Sequence, residues 1–492
     1  MEKYLLGIDV GTTGTKAMLF SESGKLLSHA YQGYPMSNPQ VGWSEQNAED
    51  WWNAVKTTVT QLCSDPQIGK NVAAISLSLQ GGTFVPVDAD YKPLRPAIVW
   101  NDHRCAEQKE AFLREVGPAS EMYKLTGWNL GNGLPLLSVR WMRENEPELY
   151  EKTAMFLSVP DYVSVKMTGI AAIDPSDAGI NQFSDISSGT YDEKLLEFAG
   201  IRKEQLPKIV PSGTAIGHLT EQAAQELGLS TDAVLVAGAH DQYAVALGAG
   251  ATEDGDILIG SGTCWVVTAI SDASSFDTGL SQSVSAVPGK WGSLQSLSSG
   301  GVCLDWLRNH VCDKEQMPYD VINAEVDIRK AAEEGLYFFP FSGKSSDTTR
   351  FTKASFVGLD LSHDRFHMAR AVMEGVAFQT RWMMEAFRAK PGETGIILAG
   401  GASKSAVWTQ ITADIFGLPV RVTAAADLAC VGAAVMAGVG CGMFATVQEG
   451  CKRLAMQEHT FQPNPEQKEI YEREYAVYKQ LAKALGSAGK DA

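Results

Sequence analysis

The sequence predicts an α/β protein of two related domains, and three observations carry that reading. Strand-like apolar runs alternate with segments of helical periodicity along the chain. A strand, a Gly/Thr-rich turn and a second strand open the chain and recur near its middle. At 492 residues the chain is also too long for one core, and length alone favours roughly three ordinary domains or two large ones.

The first element is LGIDVGTTGTKAMLF, Leu6 to Phe20. Leu5, Leu6 and Ile8 read as a short strand ending at Asp9, and Ala17 to Phe20 as a second. Ser21-Glu22-Ser23-Gly24 then turns the chain into a third strand, Lys25 to Tyr34. A nucleotide P-loop needs G-x-x-x-x-G-K-(S/T) with a helix behind it. Here the spacing is G-x-x-G-x-K, Ala17 stands at the Ser/Thr position, and no helix follows. This is not a Walker loop. A hairpin of this composition still offers inward N–H groups and hydroxyl donors to phosphate, and a plain β-turn explains the same residues equally well.

Asn47 is placed to cap a helix striped by Trp51, Val55, Val59 and Leu62. Val72 to Leu79 is a strand running into Gln80-Gly81-Gly82-Thr83, and Phe84 to Val87 is another. In the middle of the chain, Val234 to Ala239 is an apolar strand ending on small residues and then presenting Asp241. Such a carboxylate is a common place for chemistry and also a common turn. Gly255 to Val267 repeats the opening hairpin. A long helix follows from Asp364 to about Arg388, striped by Phe366, Ala369, Met373, Val376 and Phe378. Ile396 to Ser403 is a strand with a Gly400-Gly401 turn, suited to close approach by a nucleotide or to tight packing. The helix behind it carries Val407, Ile411 and Ile415, and the last helix carries Tyr471, Tyr475, Tyr478 and Leu485.

Composition bounds the function. Hydrophobic residues make up 45% of the chain and charged residues 20%, as in ordinary globular proteins. A net charge of −17 argues against nucleic acid and anionic membrane surfaces as partners. The eight cysteines are scattered without a C-x-x-C, which fits reduced thiols and not a disulfide framework or zinc site. With no signal peptide and no run of 18 apolar residues, the expected compartment is the cytoplasm. None of the eight histidines falls in a metal or triad pattern.

Several motifs occur in a fixed order: IDVGTTGTK (Ile8 to Lys16), AGAHDQ (Ala237 to Gln242), GLDLSHDRFHMARAVMEGVAF (Gly358 to Phe378), AGGASKSAVWTQITADIFGLPV (Ala399 to Val420) and GAAVMAG (Gly432 to Gly438). EQNAEDWW (Glu45 to Trp52) and LRPAIVWNDHR (Leu94 to Arg104) accompany them. From about residue 4 to residue 485 the chain resembles the FGGY family of carbohydrate kinases, and it looks most like the xylulokinase branch.

The resemblance implies the actin-like ATPase (ribonuclease H-like) fold, with ATP and sugar in a cleft between two domains. Residues 1–243 would form the N-terminal domain, with the sugar and the phosphate hairpin, and 244–492 the nucleotide side. By analogy Gly11, Thr12, Thr13 and Lys16 lie near the transferred phosphate, and Asp9 orients the water shell of Mg²⁺. Gly262 and Thr263 hold phosphate from the second hairpin, and Gly400, Gly401 and Ser403 form the adenine-side loop. Asp241 matches the catalytic base. Gln80, Gly81, Gly82, Trp100, Asn101, Asp102, Arg104, Asp241 and Gln242 line the sugar pocket. Asp102, Asp256 and Asp360 stand outside the base position and read as structural groups or peripheral sugar contacts. His240, beside the base, is expected to pack or to tune it.

Three departures stand out. Xylulokinases carry Met-His after the glutamine, whereas this chain has Gly81-Gly82, which offers backbone and space but no polar side chain. Asp241-Gln242 is closer to the glycerol kinase pattern, and Asp427 stands where many relatives have Glu. The expected activity is ATP-dependent phosphorylation of a pentulose such as xylulose. The alternatives are a kinase of the glycerol, ribulose or gluconate type, or a non-catalytic actin-like sugar-responsive protein. A regulator is expected to add a helix-turn-helix, and a chaperone a peptide-binding domain. The expected partners are a small-molecule sugar and, for assembly, a second copy in a homodimer.

Overall fold

The computed structural model describes residues 2–276, 278–341, 353–392, 395–423, 427–455 and 458–488. They form two compact units that do not follow one cut in the chain. The first gathers Met1–Thr252, Asp272–Gly292 and Ala425–Ala455; the second gathers Glu253–Ser271, Ser293–Ala424 and Met456–Ala492. The division at 243/244 read from the sequence follows chain order, whereas these units follow contact.

The first unit is built on a six-stranded sheet. Its strands are β1 (Tyr4–Val10), β2 (Gly14–Ser21), β3 (Leu26–Gly33), β4 (Val72–Leu79), β5 (Ala215–His218) and β6 (Val234–His240), in the order β5-β6-β4-β1-β2-β3. β1 pairs antiparallel with β2 and parallel with β4, which in turn runs parallel to β6. Helix α1 (Ala48–Leu62) covers this sheet, and its Asn47 cap accepts from the N–H of Glu49. Trp51, Val55, Val59 and Leu62 are all buried. Each contributes roughly 1.5–3 kcal/mol, against about 1 kcal/mol for the cap, so packing dominates.

Two further helices carry the site. α2 (Asp241–Gly248) starts where β6 ends, and α3 (Leu428–Gly440) packs against it. A Cβ on Gly432 would lie 2.0 Å from the Ala244 carbonyl oxygen, and one on Gly248 would lie 2.0 Å from that of Leu428. Only glycine permits this approach, which draws residues near 430 into the first unit and brings the N-terminus of α3 to β2.

In the second unit the hairpin pattern recurs. β7 (Ile257–Ser261) pairs antiparallel with β8 (Trp265–Ser271) and parallel with β9 (Ile396–Gly400), as β1 does with β2 and β4. β9 then pairs parallel with β10 (Val420–Thr423), and β10 antiparallel with β11 (Glu458–Phe461). α4 (Arg365–Met384), α5 (Ala406–Phe416) and α6 (Pro465–Ala488) complete the unit. Tyr471, Tyr475 and Tyr478 of α6 are buried, and Phe378 of α4 packs against all three rings. The expected end of α4 near Arg388 falls at Met384 instead.

Candidate active site

The turn between β1 and β2 is held by side chains that take its carbonyls. The Gly11 oxygen accepts from the Tyr34 hydroxyl and from Gln80 Nε2 at 3.3 Å, and the Thr12 oxygen accepts from Gln46 Nε2 at 2.6 Å. Gln46 Oε1 in turn accepts from Gln80 at 3.0 Å and Trp51 Nε1 at 3.1 Å. Trp100 Nε1 donates to Thr12 Oγ1 at 3.2 Å. Donors on the carbonyls screen the oxygens that would repel an anion at the tip, and this suits the hairpin to phosphate.

Beneath the tip lies an acidic pair sharing one cation. Asp9 Oδ1 accepts from Ser78 at 2.9 Å, while its Oδ2 is 3.8 Å from Lys16 Nζ. Lys16 is 2.6 Å from Asp427 Oδ2, and Asp427 Oδ1 caps α3 by accepting from the N–H of Cys430 at 3.1 Å. Burial, then the charge of Asp427, pushes the Asp9 carboxyl up to about 7; Lys16 and Ser78 oppose that rise, and Asp241 adds to it. Burial works against the Lys16 charge, but Asp427 and Asp9 outweigh it and raise the ammonium above its usual range. Asp427 therefore sits at the β1–β2 hairpin, beside Lys16.

Asp241 opens α2, its side chain 36% exposed, with Oδ1 buried and accepting no hydrogen bond. Gln242 follows in the same first turn, half-buried. The preceding His240 is buried, with Nδ1 accepting from the N–H of Gln242 at 3.3 Å. Nδ1 also lies 3.2 Å from Asp241 Oδ1.

The room expected beside Gly81 is taken. A Cβ there would lie 2.4 Å from His240 Cδ2, 2.8 Å from His240 Nε2 and 3.0 Å from Asp177 Oδ1. The imidazole at the end of β6 thus occupies that space. Gly82 differs, since its φ of +71° is a left-handed turn conformation that glycine adopts readily. Burial, then the neighbouring Asp174 and the charges of Asp241 and Asp161, hold the Asp177 carboxyl well above the usual carboxylate range.

Asp102 and Arg104 are committed to each other. The guanidinium donates to both Asp102 oxygens at 2.8–2.9 Å and to Glu45 at 2.9 Å, and it stacks 3.8 Å from the Trp43 ring centroid. Asp102 also accepts from the N–H of Ser44 at 2.7 Å. This buried knot fixes the loop that presents half-exposed Trp100 and Asn101, whose Oδ1 is buried without a partner.

In the second unit a cavity of about 500 Å³ is lined by Gly262, Thr263, Gly401, Asn323, Ser405 and Trp408, among others. Gly400 and Ser403 are not among its lining residues; Ser403 Oγ donates to the Gly400 oxygen at 2.8 Å. Ser405 caps α5 and donates to Asn323 at 2.7 Å.

Sequence reasoning did not single out Gln46, Tyr34, Asp177, Asn323 or Ser405. Ser405 was legible as a cap before an apolar stripe, and Gln46 lies within EQNAEDWW. Asp177 and Asn323 carry no local signal. Among the described residues, no group of three or more His, Cys, Asp or Glu side chains forms a metal cluster, and no helix is long and apolar enough to cross a membrane.

Comparison with known proteins agrees with this geometry. Residues 4–248 match the N-terminal domain, and residues 256–441 the C-terminal domain, of the FGGY family of carbohydrate kinases. The chain is 29% identical over 487 residues to a xylulose kinase of Bacillus subtilis, covering 97% of this chain and 96% of that one. It is 30% identical over 460 residues to a gluconokinase of the same organism, covering 91% and 88%. The crystal structure of a ligand-bound xylulose kinase from Lactobacillus acidophilus superposes with a TM-score of 0.90 at 25% identity, covering 100% of both chains.

Proposed function

Because the chain belongs to the FGGY family of carbohydrate kinases, we propose that it transfers the γ-phosphoryl group of ATP to a hydroxyl of a pentulose such as xylulose. Its two-domain α/β architecture is the actin-like ATPase fold. The observation that carries the reading is Asp241, a partly exposed carboxylate at the start of α2 whose Oδ1 lies 3.2 Å from His240 Nδ1, in the same unit as the braced hairpin. Xylulose kinases among the relatives favour the pentulose. The gluconokinase match makes an aldonate the second reading.

Phosphoryl transfer calls for in-line positioning and neutralisation of charge on the phosphoryl oxygens. Asp241 takes the proton of the attacking sugar hydroxyl as its oxygen bonds to the γ-phosphorus and the bond from that phosphorus to the departing ADP oxygen breaks. Lys16 and the backbone of Gly11, Thr12 and Thr13 face the transferred group, and Gly262, Thr263, Gly400, Gly401 and Ser403 serve the nucleotide. The residues fit Mg²⁺, because Asp9 and Asp427 crowd two carboxylates around one ammonium and a divalent cation offsets that crowding. Asp9 would hold Mg²⁺ through its water shell, and the ion when bound would supply further neutralisation of phosphate charge. Trp100, Asn101, Gln80 and Gln242 contact the sugar, and Asp102 and Arg104 support them. The first unit carries the sugar side and the second the nucleotide side. The protein acts in the cytoplasm, and its proposed assembly is a homodimer.

Replacing Asp241 by Asn keeps the shape and removes the proton acceptor. Sugar-dependent ADP release falls by ~10²-fold or more, while D-xylulose binding measured by calorimetry falls far less. Near-normal turnover in this variant contradicts the assignment of the base.

A further inference from the structure

Asp177 lies in the first turn of the short helix Pro175–Ile180, where it has no capping task. Asp174 already performs it, accepting from the Ser176 hydroxyl and from the N–H groups of Ser176 at 2.8 Å and Asp177 at 3.2 Å. The Asp177 side chain is 1% exposed, and neither of its oxygens meets a hydrogen-bond donor. Proteins rarely leave a buried carboxyl so, because an unpaired polar group is destabilising.

Its surroundings explain what it serves. Asp177 Oδ1 and His240 Nε2 both lie within 3.0 Å of the point where a Gly81 Cβ would stand. His240 Nδ1 is engaged by the Gln242 N–H at 3.3 Å and by Asp241 Oδ1 at 3.2 Å, which leaves Nε2 as the ring nitrogen on the Gly81 side. Trp128 Nε1, a buried donor without a partner, belongs to a ring centred 5.8 Å from the His240 ring. Asp177 Oδ1 and His240 Nε2 therefore converge on Gly81, in the turn that follows Gln80. A vicinal pair of hydroxyls, or a hydroxyl next to a carbonyl, presents the complementary set.

We infer that Asp177 is a further substrate-binding residue, which with His240 Nε2 holds adjacent oxygens of a polyhydroxy substrate beside Gly81. The inference rests on the reading of Asp241 as the base of a sugar kinase. Gly81 is glycine because the imidazole occupies its side-chain space. The group that other members present from the glutamine loop is supplied here from β6 and the Pro175–Ile180 helix.

The test is steady-state kinetics and melting of Asp177→Leu and Asp177→Asn. The substrate is whichever of D-xylulose, L-xylulose, D-ribulose and D-gluconate the wild type phosphorylates fastest. Asp177→Leu replaces an unpaired carboxyl by an apolar group of similar shape, so it melts no lower than wild type, yet its sugar KM rises about 10–100-fold. The KM for ATP stays within twofold. Asp177→Asn, which keeps a donor and an acceptor, raises the sugar KM less. In addition, Gly81→Ala raises the sugar KM in the wild-type background and adds little once His240→Ala has removed the clash. Unchanged sugar KM in Asp177→Leu, or in Asp177→Asn should the former not fold, overturns the assignment while leaving the kinase reading intact. Absence of turnover by the wild type with all four compounds overturns both.

Discussion

Lys16 Nζ lies 2.6 Å from Asp427 Oδ2 although 411 residues separate them in the chain. The contact exists because α3 packs on α2 through Gly432 and Gly248, which brings the capping residue of α3 to the β1–β2 hairpin. One ammonium there faces two carboxylates at the place proposed for the transferred phosphate.

Lys16→Met tests that role. Lys16 is 46% exposed, so the pair contributes little to stability, within ~1 kcal/mol, and the melting temperature should move little. Catalysis should suffer more, because a preorganised cation on the phosphoryl oxygens is removed, and kcat should fall by ~10²-fold. Normal kcat in the variant places Lys16 outside the phosphate site.

The second-unit cavity makes a separate prediction. Gly401 lines it in a backbone conformation open to any residue, and a Cβ there meets only the Ser261 oxygen at 3.4 Å. Gly401→Val should fold normally and narrow the cavity. The KM for ATP should rise about tenfold or more, equivalent to about 1.4 kcal/mol, with the sugar KM unchanged. An unaltered ATP KM, or a change confined to the sugar, contradicts the nucleotide assignment.

Much of this was legible in the sequence, and the reasons are local. Strands Val72–Leu79 and Phe84–Val87 fall where apolar runs meet turn residues, and the stripe from Trp51 to Leu62 is one helix. The two hairpins echo each other in composition and prove to share their pairing pattern. What stayed hidden depends on contacts across long stretches of chain. No spacing rule places Asp177 beside Gly81, or Asp427 beside Lys16. Asp102 and Arg104 read as polar groups near a sugar, whereas burial turns them into a structural pair.

A pH effect follows from Asp161, in the first turn of helix Val159–Thr168. The Ser158 N–H and hydroxyl donate to it at 2.8 and 2.6 Å, but burial outweighs them and pushes its carboxyl up to about 7. Unfolded, the group titrates near its ordinary value of about 4. Between these values the folded state holds the extra proton, so this contribution to stability is complete below pH ~4 and is lost as pH rises through about 7. The slope is at most about 1.4 kcal/mol per pH unit. Asp161→Asn keeps an acceptor for Ser158 and removes the titration. Urea melts from pH 4 to 7 should show a flatter decline in the variant, and an identical decline rules Asp161 out as its source.

The central claim is ATP-dependent phosphorylation of a sugar hydroxyl, with a pentulose as the acceptor. Coupled measurement of ADP release, with ATP and Mg²⁺ fixed and ketoses, polyols and aldonates varied, tests it most directly. The account predicts sugar-dependent ADP release that is fastest with a ketopentose, well above the rate without sugar. A rate that no sugar, polyol or aldonate raises above that background contradicts it.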